Sequence, residues 1–163
     1  SRGVGILTPE AAQQAHAVGP TARASGIAID RRTEHPTYTK LGFTPVVRHD
    51  CDNYARIMVR FDEVFQSIRL IRSALNGLPA GIIRGGGTCK AGEVRYSGEA
   101  PRGELTYIIR TDEYGRVEKI EIQTPSIMNI EACCHSMIIG ADSIADVTSA
   151  FISADPCIAC TER

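Results

Sequence analysis

The sequence predicts an α+β chain, mainly α, in which helices carry one inserted β-hairpin. Three observations set this class. From Asp52 to Asn76, apolar residues fall at Tyr54, Ile57, Met58, Phe61, Val64, Phe65, Ile68, Ile71 and Leu75, the three-and-four spacing of one helix face. Glu104 to Arg110 and Val117 to Thr124 each favour strand, with turn chemistry between them at Asp112-Glu113-Tyr114-Gly115. Beyond Pro125 the helical pattern returns from Ile127 to Ile139 and again up to Ser153.

Taken in order, the first fifty residues are rich in Gly, Pro, Ala and Thr. A short helix is expected from Pro9 to Ala17, with punctuation at Gly19-Pro20, Gly26, Pro36 and Pro45. Much of this segment reads as irregular and packed against something larger. Asp52 caps the long helix, and Asn76-Gly77 with Pro79 beyond ends it. Arg56, Arg60, Glu63 and Arg69 mostly lie off the apolar stripe and read as a solvated or interface face. Gly81 to Gly103 reads as a positioned loop. Its Gly85-Gly86-Gly87 lacks the following Lys-Ser/Thr and the strand-to-helix context of a phosphate cradle. Gly140 interrupts the helical pattern, and Asp142 or Ser143 caps a last helix that delivers Asp155-Pro156-Cys157.

A chain of 163 residues is long enough to bury roughly two thirds of its unfolded surface around one core, and residues 1–163 read as a single unit. The formal net charge of -1 offers no basic face for nucleic acid. No apolar run is long enough for a membrane-spanning helix, and no secretory signal opens the chain. Ser1-Arg2-Gly3-Val4-Gly5 reads as the start of a fragment or a processed chain. The six cysteines read as reduced thiols of a cytosolic chain.

The strongest chemical signal is Cys157-Ile158-Ala159-Cys160. Soft sulfur ligands at that spacing select zinc, nickel, copper or iron-sulfur clusters. A structural zinc takes four protein ligands, and no second Cys-x-x-Cys occurs here. Cys133 and Cys134 are adjacent, Cys51 and Cys89 stand alone, and His16, His35, His49 and His135 show no ligand spacing. If the tail pair binds metal, the remaining ligands are expected from another polypeptide. A redox pair normally opens a helix after a strand, whereas this one follows a helix, which favours metal. In Pro101-Arg102-Gly103, a planar donor fork on a tight turn suits an anionic or diatomic ligand, although an arginine in a surface turn is the commoner arrangement. Ser126, in Thr124-Pro125-Ser126 at the far end of the hairpin, lies near it and either adds a donor or caps the next helix.

With those residues in view, the chain resembles the C-terminal part of the large, catalytic subunit of a nickel-iron hydrogenase. The resemblance is closest to the energy-converting, membrane-associated class, related to the quinone-site subunit of respiratory complex I. It is carried by Glu99-Ala100-Pro101-Arg102-Gly103-Glu104, by Thr124-Pro125-Ser126-Ile127-Met128-Asn129, and by Asp155-Pro156-Cys157-Ile158-Ala159-Cys160-Thr161-Glu162-Arg163. Upstream, Gly19-Pro20-Thr21-Ala22-Arg23-Ala24-Ser25-Gly26, Asp30-Arg31-Arg32 and the long helix with Arg56, Glu63 and Ser67 agree with it.

The resemblance implies the fold of that subunit and its reaction, the reversible heterolytic cleavage of hydrogen. It makes Cys157 a terminal nickel thiolate that can also take up the proton, and Cys160 a bridge between nickel and an iron carrying cyanide and carbonyl. Arg102 is implied above the open site, Pro101 and Ser126 around the diatomic ligands, and Asp155 beside Arg102. Arg163 marks the cut of a maturation protease. The family's second Cys-x-x-Cys is absent, so this is half of a catalytic subunit. Implied partners are the N-terminal half, an iron-sulfur small subunit with its cluster, membrane subunits, and ferredoxin, in a cytoplasmic complex peripheral on the membrane and coupled to ion translocation. Two alternatives stand beside this reading: a non-catalytic quinone-site or structural relative like the complex I subunit, and a zinc-binding interaction module in which Cys133, Cys134 or His135 joins the tail pair. The apolar helix face is expected to pack against structure outside the chain.

Overall fold

A computed structural model describes residues 2–82 and 84–162; Ser1 and Arg163, read above as a chain start and a maturation cut, lie outside the described residues. Short elements come first: α1 (Pro9–Gln14), α2 (Gly19–Arg23), a 3-10 turn (Arg31–Glu34) and α3 (Pro36–Lys40). The long helix α4 (Asn53–Asn76) follows, then β1 (Gly92–Ala100), β2 (Gly103–Thr111) and β3 (Val117–Gln123). The chain closes with α5 (Pro125–Ala132), a π turn (Cys133–Met137), α6 (Ile144–Ser153) and the single turn α7 (Ile158–Thr161). The expected class is present, and no described helix is long and apolar enough to cross a membrane.

Local chemistry accounts for the boundaries. The Asp52 carboxylate accepts from the Ala55 N–H and starts α4, and Gly77 ends it. Ser143, one of the two predicted caps, accepts from the Asp146 N–H at the start of α6. At the β2–β3 turn, Asp112 Oδ1 accepts from the N–H groups of Tyr114 and Arg116 at 2.9 and 2.8 Å. Gly115 takes the left-handed conformation there, with φ 74°.

The hairpin is in fact a three-stranded antiparallel meander in the order β1-β2-β3. The additional strand, β1, lies within the segment expected to be a glycine-rich loop, where Val94 and Tyr96 alternate with charged and small residues. Its register runs from Gly92 opposite Thr111 to Ala100 opposite Gly103. Pro101-Arg102 is thus the two-residue tip of the β1–β2 hairpin, rather than a loop ahead of a later one.

Polarity is inverted on two surfaces. The predicted apolar stripe of α4 faces outward, with Phe61, Val64, Phe65, Ile71 and Leu75 all more than half exposed. Arg56, expected on a solvated or interface face, is completely buried. It donates to Ser153 Oγ (2.8 Å) and to the carbonyls of Gly5 (2.6 Å) and Cys51 (3.3 Å), binding the N-terminal loop to α4 and α6. Burial, with the charge of Arg60, pushes its guanidinium down to about 10, which leaves it charged at neutral pH. In the sheet, Val94, Ile109 and Ile120 lie side by side across the strands, as do Tyr96, Tyr107 and Ile122, and this face is largely open. The other face turns Thr106 inward.

The apolar core is small and alanine-rich: Leu7, Ala12, Ala15, Ala17 and Ala22 meet Ala132, Cys133, Met137, Ala150 and Ala154. A second small cluster joins Ala24 to Ala55 and Val59, and buried ion pairs lie beside it. The Arg23 guanidinium, fully buried, pairs with Asp30 (3.0 Å), Glu63 (2.7 Å) and Glu99 (2.8 Å). Glu99 and Glu104 sit directly opposite on β1 and β2, and such like charges repel. Arg23 takes the first, and Arg31 takes the second at 3.0 Å.

This charged interior makes two predictions about stability. Arg23→Met leaves Glu99 without a cation and Asp30 and Glu63 with Arg32 alone; stranding a buried charge costs about 3–5 kcal/mol, so a sharply lowered unfolding midpoint is expected, and an unchanged one would overturn this role for Arg23. Burial works to raise the Glu104 carboxyl, but hydrogen bonds from Arg31, Ser97 and Thr106 outweigh it and hold the group below its usual value. Because the folded-state value is depressed, the Glu104 contribution is present at neutral pH and is lost as pH falls through that value. The stability gap between wild type and Glu104→Gln is therefore expected to shrink below about pH 4, measured by denaturant titration at a series of pH values.

Candidate metal centre

Four segments converge at the end of the chain: the β1–β2 tip, the start of α5, the turn after α6, and the tail. The tip is positioned by the start of α2. Gly19, with φ 63°, is so close that an added Cβ would lie 2.3 Å from the Arg102 carbonyl oxygen. Gly103, with φ 130°, would likewise meet Val18 Cγ2 at 2.7 Å. Asn129, buried on α5, ties the two together, accepting from the Val18 N–H (3.0 Å) and donating to the Arg102 carbonyl (3.1 Å).

So held, Arg102 reaches the turn before the tail. Its Nε donates to the Asp155 carbonyl (2.7 Å) and its Nη2 to Asp155 Oδ1 (3.1 Å). Asp155 has φ 56°, a left-handed conformation uncommon for a residue with a side chain. Ser126, buried as the second residue of α5, accepts from the Cys157 N–H at 3.2 Å. Its neighbour Thr124 donates to the Cys160 carbonyl at 2.5 Å. The antiparallel register, with Thr106 opposite Gln123, is what brings Ser126 to the β2 end near Arg102. Pro101 is exposed and lines a cavity of about 440 Å³ with Arg60, Glu63, Glu99 and Asp155.

The two tail thiols are partners. A hydrogen bond from Cys160, aided by the Arg102 charge, draws the Cys157 thiol below its ordinary value. The same bond pushes Cys160 up, and burial adds to this, against Arg102 and Ser126. Cys157 immediately precedes α7, so the pair opens a helical turn, although that turn follows α6 rather than a strand. Cys133 is buried in the core, which pushes its thiol up to about 11, while Cys134 and His135 are exposed. Among the described residues no group of three or more His, Cys, Asp or Glu is placed to hold a metal ion.

Sequence reasoning singles out Arg102, Asp155, Ser126, Cys157 and Cys160, and the fold brings them together. It gives no role to Asn129, Gly19 or Arg60. For the first two, the signals available are an Asn closing the block that begins at Thr124 and a glycine before a proline. Arg60 falls on an expected outer face because its helix reads with the opposite polarity.

A family model described as the 49 Kd subunit of respiratory-chain NADH dehydrogenase matches residues 1–87 and 82–163. The carbon monoxide-induced hydrogenase of Rhodospirillum rubrum is 38% identical over 167 residues, covering 100% of this chain and 46% of that protein. An NADH-quinone oxidoreductase subunit of Syntrophobacter fumaroxidans is 34% identical over 162 residues, covering 95% of this chain and 43% of that protein. The solved structure of the membrane-bound sulfane sulfur reductase, an archaeal respiratory membrane complex, superposes with a TM-score of 0.88 at 26% identity, over 99% of this chain and 46% of the matched one. The chain thus spans less than half the length of these relatives.

The packing of the tip yields a paired prediction. Gly19→Ala combines a strained φ with a backbone clash, whereas Gly42→Ala, at φ 75° with nothing within 4 Å, carries the strain alone. The second is expected to cost about 1–2 kcal/mol. The first is expected to cost clearly more in unfolding midpoint, and equal losses would contradict the close approach of α2 to Arg102.

Proposed function

Because the chain belongs to the family of the 49 Kd subunit of respiratory-chain NADH dehydrogenase, we propose that it is part of a nickel-iron hydrogenase catalytic subunit in an energy-converting membrane complex. The observation that carries this reading is the meeting of the Cys157–Cys160 pair with Arg102, Asp155 and Ser126. The likeness to a protein named a hydrogenase, at 38% identity, supports it.

The donor set fits half of such a centre. Two adjacent thiols suit a soft metal, and they have no third His, Cys, Asp or Glu grouped with them among the described residues. Cys157 and Cys160 would hold the metals, and the rest of the subunit would supply the remaining ligands. When bound, the centre supplies the Lewis acidity that makes hydrogen acidic enough to split heterolytically.

The residues of the chain do the rest. Cys157 Sγ, drawn below its ordinary value chiefly by the hydrogen bond from Cys160 and further by the Arg102 charge, would be the group that holds or releases the proton. The two bonds of the Arg102 guanidinium to Asp155 would fix its planar donor fork beside the tail thiols. Ser126 Oγ accepts the Cys157 N–H, and its own proton, which favours the thiolate of Cys160 here, would be shared with or turned to a cyanide or carbonyl when the centre is bound. Electrons would pass to an iron-sulfur small subunit and ferredoxin, with the chain on the periphery of the membrane complex.

A second reading, a quinone-site subunit without metal, draws on the 34% identity to the NADH-quinone oxidoreductase relative. The two part on the tail thiols. In the assembled complex, Cys160→Ser is expected to lose nickel and iron together with hydrogen turnover. Arg102→Lys is expected to keep both metals while turnover falls about 10²-fold, as when one preorganised donor is removed. Metal retained in Cys160→Ser, or unchanged turnover in fully metallated Arg102→Lys, would overturn the assignment.

A further inference from the structure

Arg60 lies one turn beyond Arg56 on the inward side of α4. Its Nη1 donates to the Arg56 carbonyl at 3.0 Å. Its Nε and Nη2 are buried and have no hydrogen-bond partner. These two groups share one edge of the guanidinium, the edge that matches a carboxylate with two parallel bonds. Buried donors left unmade are costly, so that edge needs an acceptor.

Two carboxylates are near. Glu63 is already engaged, its Oε1 accepting from Arg23 Nε at 2.9 Å. Asp155 is the other, and its Oδ2 stands 3.9 Å from Arg60 Nε. The remaining acceptors of Asp155, Oδ1 and the backbone carbonyl, are held by Arg102. Arg60 and Asp155 together border the cavity that Pro101 lines and a second one, of about 430 Å³, toward α6. Burial, together with the charges of Arg102 and Arg23, weighs against the charged form of Arg60, and Asp155 and Glu63 offset it in part.

We propose that Arg60 is a positioning residue, whose open guanidinium edge closes onto Asp155 Oδ2 and thereby fixes Arg102 beside the tail thiols. Asp155 becomes a carboxylate bridge between two guanidinium groups, one on α4 and one on the hairpin tip. The left-handed backbone at Asp155 is then maintained from both sides, as strained residues at working sites are. The chemical consequence rests on the hydrogenase reading; the clamp itself does not.

The test combines a structure of the wild-type complex with a double-mutant cycle in the assembled enzyme. In the structure, Arg60 Nε and Asp155 Oδ2 are expected within about 3.2 Å. Arg60→Gln is expected to keep nickel and iron and to lower turnover about tenfold, with little further loss when it is added to Asp155→Asn. Arg60→Lys should restore part of the rate, and it replaces Arg60→Gln in the cycle if that variant fails to assemble. Equal losses in both backgrounds, or an Arg60 edge bonded to water or another residue with Asp155 still apart, would overturn the inference. A wild-type complex without nickel would contradict the hydrogenase reading, while the Arg60–Asp155 distance would still decide the clamp.

Discussion

One buried guanidinium organises this chain. Arg23 is carried by α2, and its three carboxylate partners come from the loop after α2, from α4 and from β1. With so few large apolar side chains inside, these segments have little else to fix their relative placement. A buried ion network is weak evidence for net stability, since desolvation offsets much of its Coulomb energy. Its directionality is what matters here. Arg32 adds a bidentate grip on Asp30, at 2.9 Å and 2.6 Å, within the loop after α2.

The site inherits its geometry from that network. Glu99 is held by Arg23 two residues before the hairpin tip that carries Arg102. The same α2 that carries Arg23 begins at Gly19, whose missing side chain admits the tip. α4 then contributes Arg56 and Arg60 on its inner side, one bound to α6 and one facing the turn that leads to the cysteines. The outward apolar stripe of α4 and the open apolar face of the sheet complete the pattern. Exposed apolar surface of this extent marks interaction, which accords with a chain that spans under half of its relatives.

Much of this is legible in the sequence, for identifiable reasons. The limits of α4, the cap at Ser143 and the β2–β3 turn follow from single side chains acting on nearby backbone, which local patterns record. The neighbourhood of Ser126 and Arg102 follows from the pairing of two strands. β1 is hard to read from sequence because a glycine at its start, Gly92, and one inside it, Gly98, mask the short alternation of Val94 and Tyr96. The apolar stripe of α4 is open, in keeping with a face that packs against structure outside the chain, whereas the opposite face, expected to be solvated or at an interface, buries Arg56. Arg56 is inside because the Ser153 hydroxyl and the Gly5 carbonyl, far along the chain, receive it, and no local pattern encodes such partners.

In the function proposed for this chain, Cys157 and Cys160 together bind nickel and iron. X-ray data from the assembled complex, collected on both sides of the nickel and iron absorption edges, test it directly. The account predicts an anomalous nickel peak within bonding distance of both sulfurs and an iron peak beside Cys160. A zinc signal at the pair, or two sulfurs with no transition metal between them, would contradict it.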